Sequence, residues 1–200
     1  MREPAYSALP PLLEAMTPAL LPYLDKPFVL FGHSMGAIIA FELARKLRRD
    51  FHVRSECLIV SARVAPTKPL PRPPICRLGS TEFKEALRDL NGTPREVLEN
   101  AELMTLLTGL LRADFAVHEE YRYSEGAPLE CPIIAFAGTA DPEASPEDIE
   151  AWREFTTSRF EKRVIPGDHF YIVTAKALLL RLLSQDLDEI AMKLRGFSSG

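Results

Sequence analysis

The sequence predicts an α/β protein built on a mostly parallel sheet, with helices on both faces. Three observations carry this expectation. Short apolar runs of strand length alternate with longer stretches of helical periodicity. The run Gly32-His33-Ser34-Met35-Gly36 occupies one strand-to-helix junction. An aspartate and a histidine each follow a later strand, in the loops where parallel sheets gather ligands and catalytic groups.

Taken in order, Leu9, Leu12, Leu13, Met16 and Leu20 recur at helical spacing, with Pro18 and Pro22 marking the end of that helix. Pro27-Phe28-Val29-Leu30-Phe31 is a strand that stops at Gly32. Helical periodicity follows Gly36 and leads into the basic run Arg45-Lys46-Leu47-Arg48-Arg49, placed where cations complement the helix dipole. Cys57-Leu58-Ile59-Val60 is a second strand. Five prolines within 66–74 exclude regular structure and read as a stiff connector. Residues 80–122 are expected to form three or four short helices, broken at Asn91-Gly92-Thr93-Pro94, with Gly109 a further candidate break. Pro132-Ile133-Ile134-Ala135-Phe136-Ala137 is a third strand, about Pro146 to Thr156 a helix, and Arg163-Val164-Ile165 the end of a fourth strand. A last helix, over about 172–194, shows a wide apolar stripe from Ala177 to Leu194.

Composition narrows the functional classes. The chain has 200 residues, 46% hydrophobic and 26% charged, which suits one globular domain over residues 1–200. A formal charge of -4 supplies no positive field for nucleic acid. Three scattered cysteines, Cys57, Cys76 and Cys131, fit neither a disulfide framework nor a zinc site, and suit a reducing cytosol. The first residues lack a signal-peptide pattern, and no apolar run approaches the roughly 20 residues that span a bilayer. The expectation is a cytoplasmic monomer that engages neither membrane nor nucleic acid.

The G-x-S-x-G run carries the strongest chemical signal. A strand before it and a helix after it place Ser34 on a sharp corner, its hydroxyl exposed and the helix amino terminus beside it. The two glycines are expected to let the chain turn, and the Met35 N–H to serve as a donor to an oxyanion. A serine needs a base, and His169, in the loop Pro166-Gly167-Asp168-His169-Phe170, has the right position. His33 reads as a packed or hydrogen-bonded neighbour of Ser34, and His52 and His118 as surface residues. Asp141, directly after the third strand, is the candidate orienting acid. Asp168 lies too near His169 on the same loop, while Glu143, Glu147 and Asp148 read as the opening of the next helix.

From about residue 2 to 171 the chain resembles the type II thioesterases of nonribosomal peptide, polyketide and fatty acid synthases, members of the α/β-hydrolase superfamily. The matching blocks include Phe31-Gly32-His33-Ser34-Met35-Gly36-Ala37, Phe41-Glu42-Leu43-Ala44, Gly92-Thr93-Pro94, Leu111-Arg112-Ala113-Asp114, Gly138…Asp141-Pro142, Trp152 and Gly167-Asp168-His169-Phe170. The resemblance implies a Ser34–Asp141–His169 triad, a helical lid over 78–127, and no metal or redox cofactor. It implies as substrate an acyl thioester on the phosphopantetheine arm of an acyl or peptidyl carrier protein. It also implies earlier strands and a glycine-rich loop that this chain does not show. The first visible strand is therefore expected to have an unpaired edge and the site to lack a second oxyanion donor. The expectation is a shortened chain or a misassigned start; the sharper reading is a weak or inactive interaction protein completed by another chain.

Other features have bland readings beside functional ones. Trp152 is expected to pack the core, and the basic run to be a solvated helix end in preference to a site for an acidic carrier. Met104, Leu106, Leu107, Leu110 and Leu111 fit a lid lining and ordinary interhelix packing equally. A small-molecule esterase or lipase with the same triad is the competing enzymatic reading.

Overall fold

The computed structural model describes residues 5–197, which divide into two compact units: one runs to Pro22 and resumes over Leu70–Ser124, the other comprises Tyr23–Pro69 and Glu125 onward.

The second unit holds a four-stranded parallel sheet in the order β1 (Val29–His33), β2 (Cys57–Ser61), β3 (Ile133–Gly138), β4 (Phe160–Ile165). The register sets His33 beside Ser61 and Gly138 beside Ile165, so the strands' carboxyl ends lie side by side. β2 and β3 are buried at every position, which is why they read as unbroken apolar runs. β1 and β4 are the outer strands, each with one edge unpaired among the described residues.

Strand alternation divides the core. Cys57, Ile59, Ile134, Phe136 and Ile165 form one face, covered by α6 (Tyr171–Thr174) and α7 (Lys176–Phe197) through Tyr171, Leu178, Leu179, Leu182 and Leu183. Leu58, Val60, Ile133 and Ala135 point the other way and are equally buried. On that side α2 (Met35–Lys46) lies against β1 and β2, and a 3-10 helix (Asp148–Phe155) lies against β3. Trp152 is fully buried there, edge-on to Phe41, with its indole N–H donating to the Arg63 carbonyl at 2.8 Å. It packs the core, as expected.

The first unit is helical. It contains α1 (Leu9–Leu20), α3 (Ser80–Asp89), α4 (Arg95–Glu99) and α5 (Ala101–Glu119). Ile75, Phe83, Leu87, Leu98 and Met104 make its core, with Leu111 and Phe115 against them. The buried Glu119 carboxylate ties down the proline-rich connector by accepting from the Ile75 and Cys76 N–H groups and from Arg72, each at 2.9 Å. The expected lid segment 78–127 contains α3, α4 and α5, whereas the compact unit also takes in α1 and the connector from Leu70.

Several expectations are corrected. Gly109 does not interrupt α5, which the Asn100 side chain caps by accepting from Leu103 N–H. Pro18 lies inside α1; so close to the end it removes one hydrogen bond, and Leu21 N–H still reaches the Thr17 carbonyl. The segment expected as an ordinary helix over 146–156 is a 3-10 helix, in which Trp152 and Phe155, three apart, fall on one side. The last helix is two helices parted at Ala175, whose own packing on the sheet bridges the apolar stripe. His118 is buried on α5, not on the surface.

The basic run is no simple solvated helix end. It continues α2 as a turn of π-helix (Leu47–Phe51), closed by His52 in a left-handed conformation. Arg45 pairs with Glu42, Lys46 and Arg49 with Asp50, and Arg48 donates to the Ala127 and Pro128 carbonyls.

Candidate active site

The corner after β1 is made by Ser34 itself, at φ 55° and ψ −119°, a region an L-residue occupies only under constraint. Neither Gly32 nor Gly36 takes a positive φ. Gly32 serves close approach: a Cβ there would lie 2.0 Å from the Gly36 carbonyl oxygen. A Cβ at Gly36 would meet nothing within 4 Å. The corner is fixed by Ser34 N–H donating to the Ser61 carbonyl at 2.8 Å and by Ala37 N–H donating to the Ser34 carbonyl at 3.0 Å. Met35 opens α2, so its N–H has no acceptor within the helix.

Two loops at the neighbouring strand ends are bound to each other. Thr139 N–H donates to the Ile165 carbonyl and Ala140 N–H to the Gly167 carbonyl, both at 2.9 Å. Gly167 N–H returns a bond to the Thr139 hydroxyl. Gly167 takes φ +133°, and a Cβ at Gly138 would sit 2.7 Å from the Gly167 oxygen, so both glycines are required where the loops touch.

These loops bring Asp141 and His169 together. The imidazole Nδ1 lies 3.0 Å from Asp141 Oδ2 and 3.1 Å from Oδ1, and Nε2 lies 3.0 Å from Ser34 Oγ. The carboxylate is fully buried and also accepts from Glu143 N–H at 2.8 Å, while the imidazole keeps 15% of its surface exposed. A carboxylate so enclosed orients the ring and directs its other nitrogen to the hydroxyl, an arrangement able to stabilise an imidazolium. Asp168 takes no part in this: its carboxylate accepts from Phe170 N–H and closes the turn into α6.

His33 is a hydrogen-bonded neighbour. Its Nδ1 lies 2.9 Å from Ser61 Oγ, which lies 2.5 Å from the Tyr171 hydroxyl. Burial, then the adjacent His169, lowers its pKa from 6.5 to about 4. Ser61 and Tyr171 escaped the sequence reading. Their signals are slight: a polar residue closing an apolar strand, and a tyrosine two positions past His169. Among the described residues no group of His, Cys, Asp or Glu is placed to hold a metal ion, and no helix is long and apolar enough to cross a membrane.

With this geometry established, comparison with known proteins gives a consistent answer. Residues 1–187 match the thioesterase domain model. Linear gramicidin dehydrogenase LgrE of Brevibacillus parabrevis is 40% identical over 197 residues, covering 97% of this chain and 75% of that protein. Gramicidin S biosynthesis protein GrsT of Aneurinibacillus migulanus is 40% identical over 176 residues, covering 88% and 69%. Among solved structures, the RedJ thioesterase of the prodiginine pathway in Streptomyces coelicolor superposes with a TM-score of 0.80 at 39% identity, covering 90% of this chain and 69% of that one.

Proposed function

This chain belongs to the thioesterase domain family, and from that premise we propose that it hydrolyses acyl thioesters on the phosphopantetheine arm of acyl or peptidyl carrier proteins. Ser34 is the nucleophile, His169 the general base and Asp141 the acid that orients it. The observation that carries this reading is the unbroken path from a buried carboxylate through an imidazole to a hydroxyl on a strained corner. The carrier-protein context rests on relatives named for gramicidin S biosynthesis and for a prodiginine-pathway thioesterase.

The steps follow from the positions of the protons. His169 Nε2 takes the Ser34 proton as Oγ attacks the thioester carbonyl, and the C–O bond forms while charge collects on the carbonyl oxygen. The Met35 N–H, at the positive end of α2, donates to that oxygen. The tetrahedral centre collapses, the C–S bond breaks, and the thiol leaves with the proton from His169. Water, deprotonated by the same nitrogen, then attacks the acyl-serine and releases the acid and free Ser34.

A hydrolysis panel of acyl carrier proteins, acyl-CoAs and nitrophenyl esters tests the substrate class. Carrier-bound thioesters are expected to turn over fastest; a preference for simple esters that ignores the carrier would replace this reading with a small-molecule esterase. A fluorophosphonate probe tests the machinery, since it should label the wild-type chain and leave Ser34→Ala unlabelled.

A further inference from the structure

We infer that Ser61 and Tyr171, with His33, are positioning residues that hold the loop carrying His169 against the corner carrying Ser34; this rests on the roles assigned above to Ser34 and His169. The His169 loop is tied on two sides. Toward β3 it is held by the Thr139, Ala140 and Gly167 bonds, which fix His169 relative to Asp141. Toward β1, beside the Ser34–His169 bond itself, the ties run through Ser61. The Ser61 carbonyl accepts from Ser34 N–H, and the Ser61 hydroxyl contacts both His33 Nδ1 and the Tyr171 phenol. His33 precedes the nucleophile by one residue and Tyr171 follows the base by two, so a single hydroxyl joins the two elements that must meet.

The three groups are joined by an order of protons that starts at the phenol. Tyr171 is fully buried, and burial raises its pKa well above the ordinary value, so the phenol keeps its proton and is able to donate it to Ser61 Oγ. A hydroxyl has one proton to give while accepting another, so Ser61 donates to His33 Nδ1. We assign His33 the neutral tautomer with its proton on Nε2, a buried atom without a hydrogen-bond partner among the described residues. The assignment matters because the His33 and His169 rings lie 5.3 Å apart, with Tyr171 edge-on to His33 at 5.5 Å. Burial is the largest influence against the charged form of His33; of the titratable groups facing it, His169 adds to that and Asp141 opposes it. No second cation therefore stands beside the ring that must accept the serine proton.

The test compares Ser61→Ala, Tyr171→Phe and the conservative Ser61→Thr. The first two are expected to lower kcat on the order of 10- to 100-fold with KM within about twofold, because a displaced base costs rate and not binding. Fluorophosphonate labelling, which needs no carrier recognition, should slow in proportion, and Ser61→Thr should restore most of both. Among the histidine variants, His33→Asn keeps a polar atom where Nδ1 lay and should outperform His33→Gln. Ile149→Val, a buried change on the 3-10 helix that takes no part in the Ser61 network, gauges the effect of lost stability alone. If kcat in Ser61→Ala falls no further than in an equally destabilised Ile149→Val, the positioning role is overturned. A second readout is independent of turnover: the Nδ1 proton resonance of His169 should shift or broaden in Ser61→Ala, and an unchanged resonance overturns the inference. If the resonance responds while the wild-type chain neither labels nor hydrolyses, the catalytic reading fails and the positioning one stands.

Discussion

Ser34 holds a backbone conformation that costs on the order of 1–3 kcal/mol and persists only where the surroundings enforce it. The enforcement is specific: Gly32 lets the Gly36 carbonyl approach, and the Ser61 carbonyl captures the Ser34 N–H. Burial beside this corner disfavours the charged form of His33, and its depressed pKa makes that cost measurable. The unfolded chain binds a proton at His33 below about pH 6.5, whereas the folded chain does so only below about 4. Stability from this group is therefore complete above pH 6.5 and is lost as pH falls toward 4, by about 3 kcal/mol in all. Urea melts at pH 7 and pH 4.5 should show the loss in the wild-type chain and a smaller one in His33→Gln; equal losses would refute it. Ser34, Asp141 and His169 were legible because each stands in a local backbone context that a single sequence displays. Ser61 and Tyr171 were not, because their meeting spans 110 positions and nothing local marks it.

Among the elements, strands were read well where burial on both faces makes the sequence continuously apolar, as in β2 and β3. β4 was less visible: Phe160-Glu161-Lys162-Arg163 alternates with charge at an outer position, and only Arg163-Val164-Ile165 stood out. Helix ends were the weakest point. Ala175 parts α6 from α7 without disturbing the apolar stripe, and the 3-10 bonds of 148–155 leave no signature that an ordinary helix would not. Gly109 is the most instructive error, since a glycine in mid-helix is a tolerated weakness and not always a stop. A Cβ there would meet nothing within 4 Å, and the position is exposed. Gly109→Ala should therefore stabilise α5 by about 0.5–1 kcal/mol, seen as a higher midpoint in denaturant. A lower midpoint would mean that the glycine is needed for something other than helix formation.

At the scale of the whole molecule, the order of strands and helices was enough to give a parallel α/β sheet, because short strands with helices between them have few other solutions. The division of the described chain into two units was not legible, since the helix at residues 9–20 joins residues 70–124 across a long sequence gap. The three thiols offer a probe of global unfolding. Cys57 is pushed up to about 12 and Cys76 to about 11, chiefly by burial, and Cys131 is raised for the same reason. Iodoacetamide at pH 7.5 should leave the native chain unmodified and alkylate all three only in denaturant. Rapid modification of one thiol in the native chain would reveal local opening at that site.

The intrachain partners of the basic run also bear on how the protein meets its substrate. Arg45, Lys46, Arg48 and Arg49 face only two carboxylates, Glu42 and Asp50, so pairing halves the positive charge of this corner, and the chain carries -4 overall. Encounter with an acidic partner should thus proceed by unguided diffusion, without long-range electrostatic steering. Raising sodium chloride from about 50 to about 300 mM should alter kcat/KM by less than about threefold, whereas a steered encounter would slow steeply over that range.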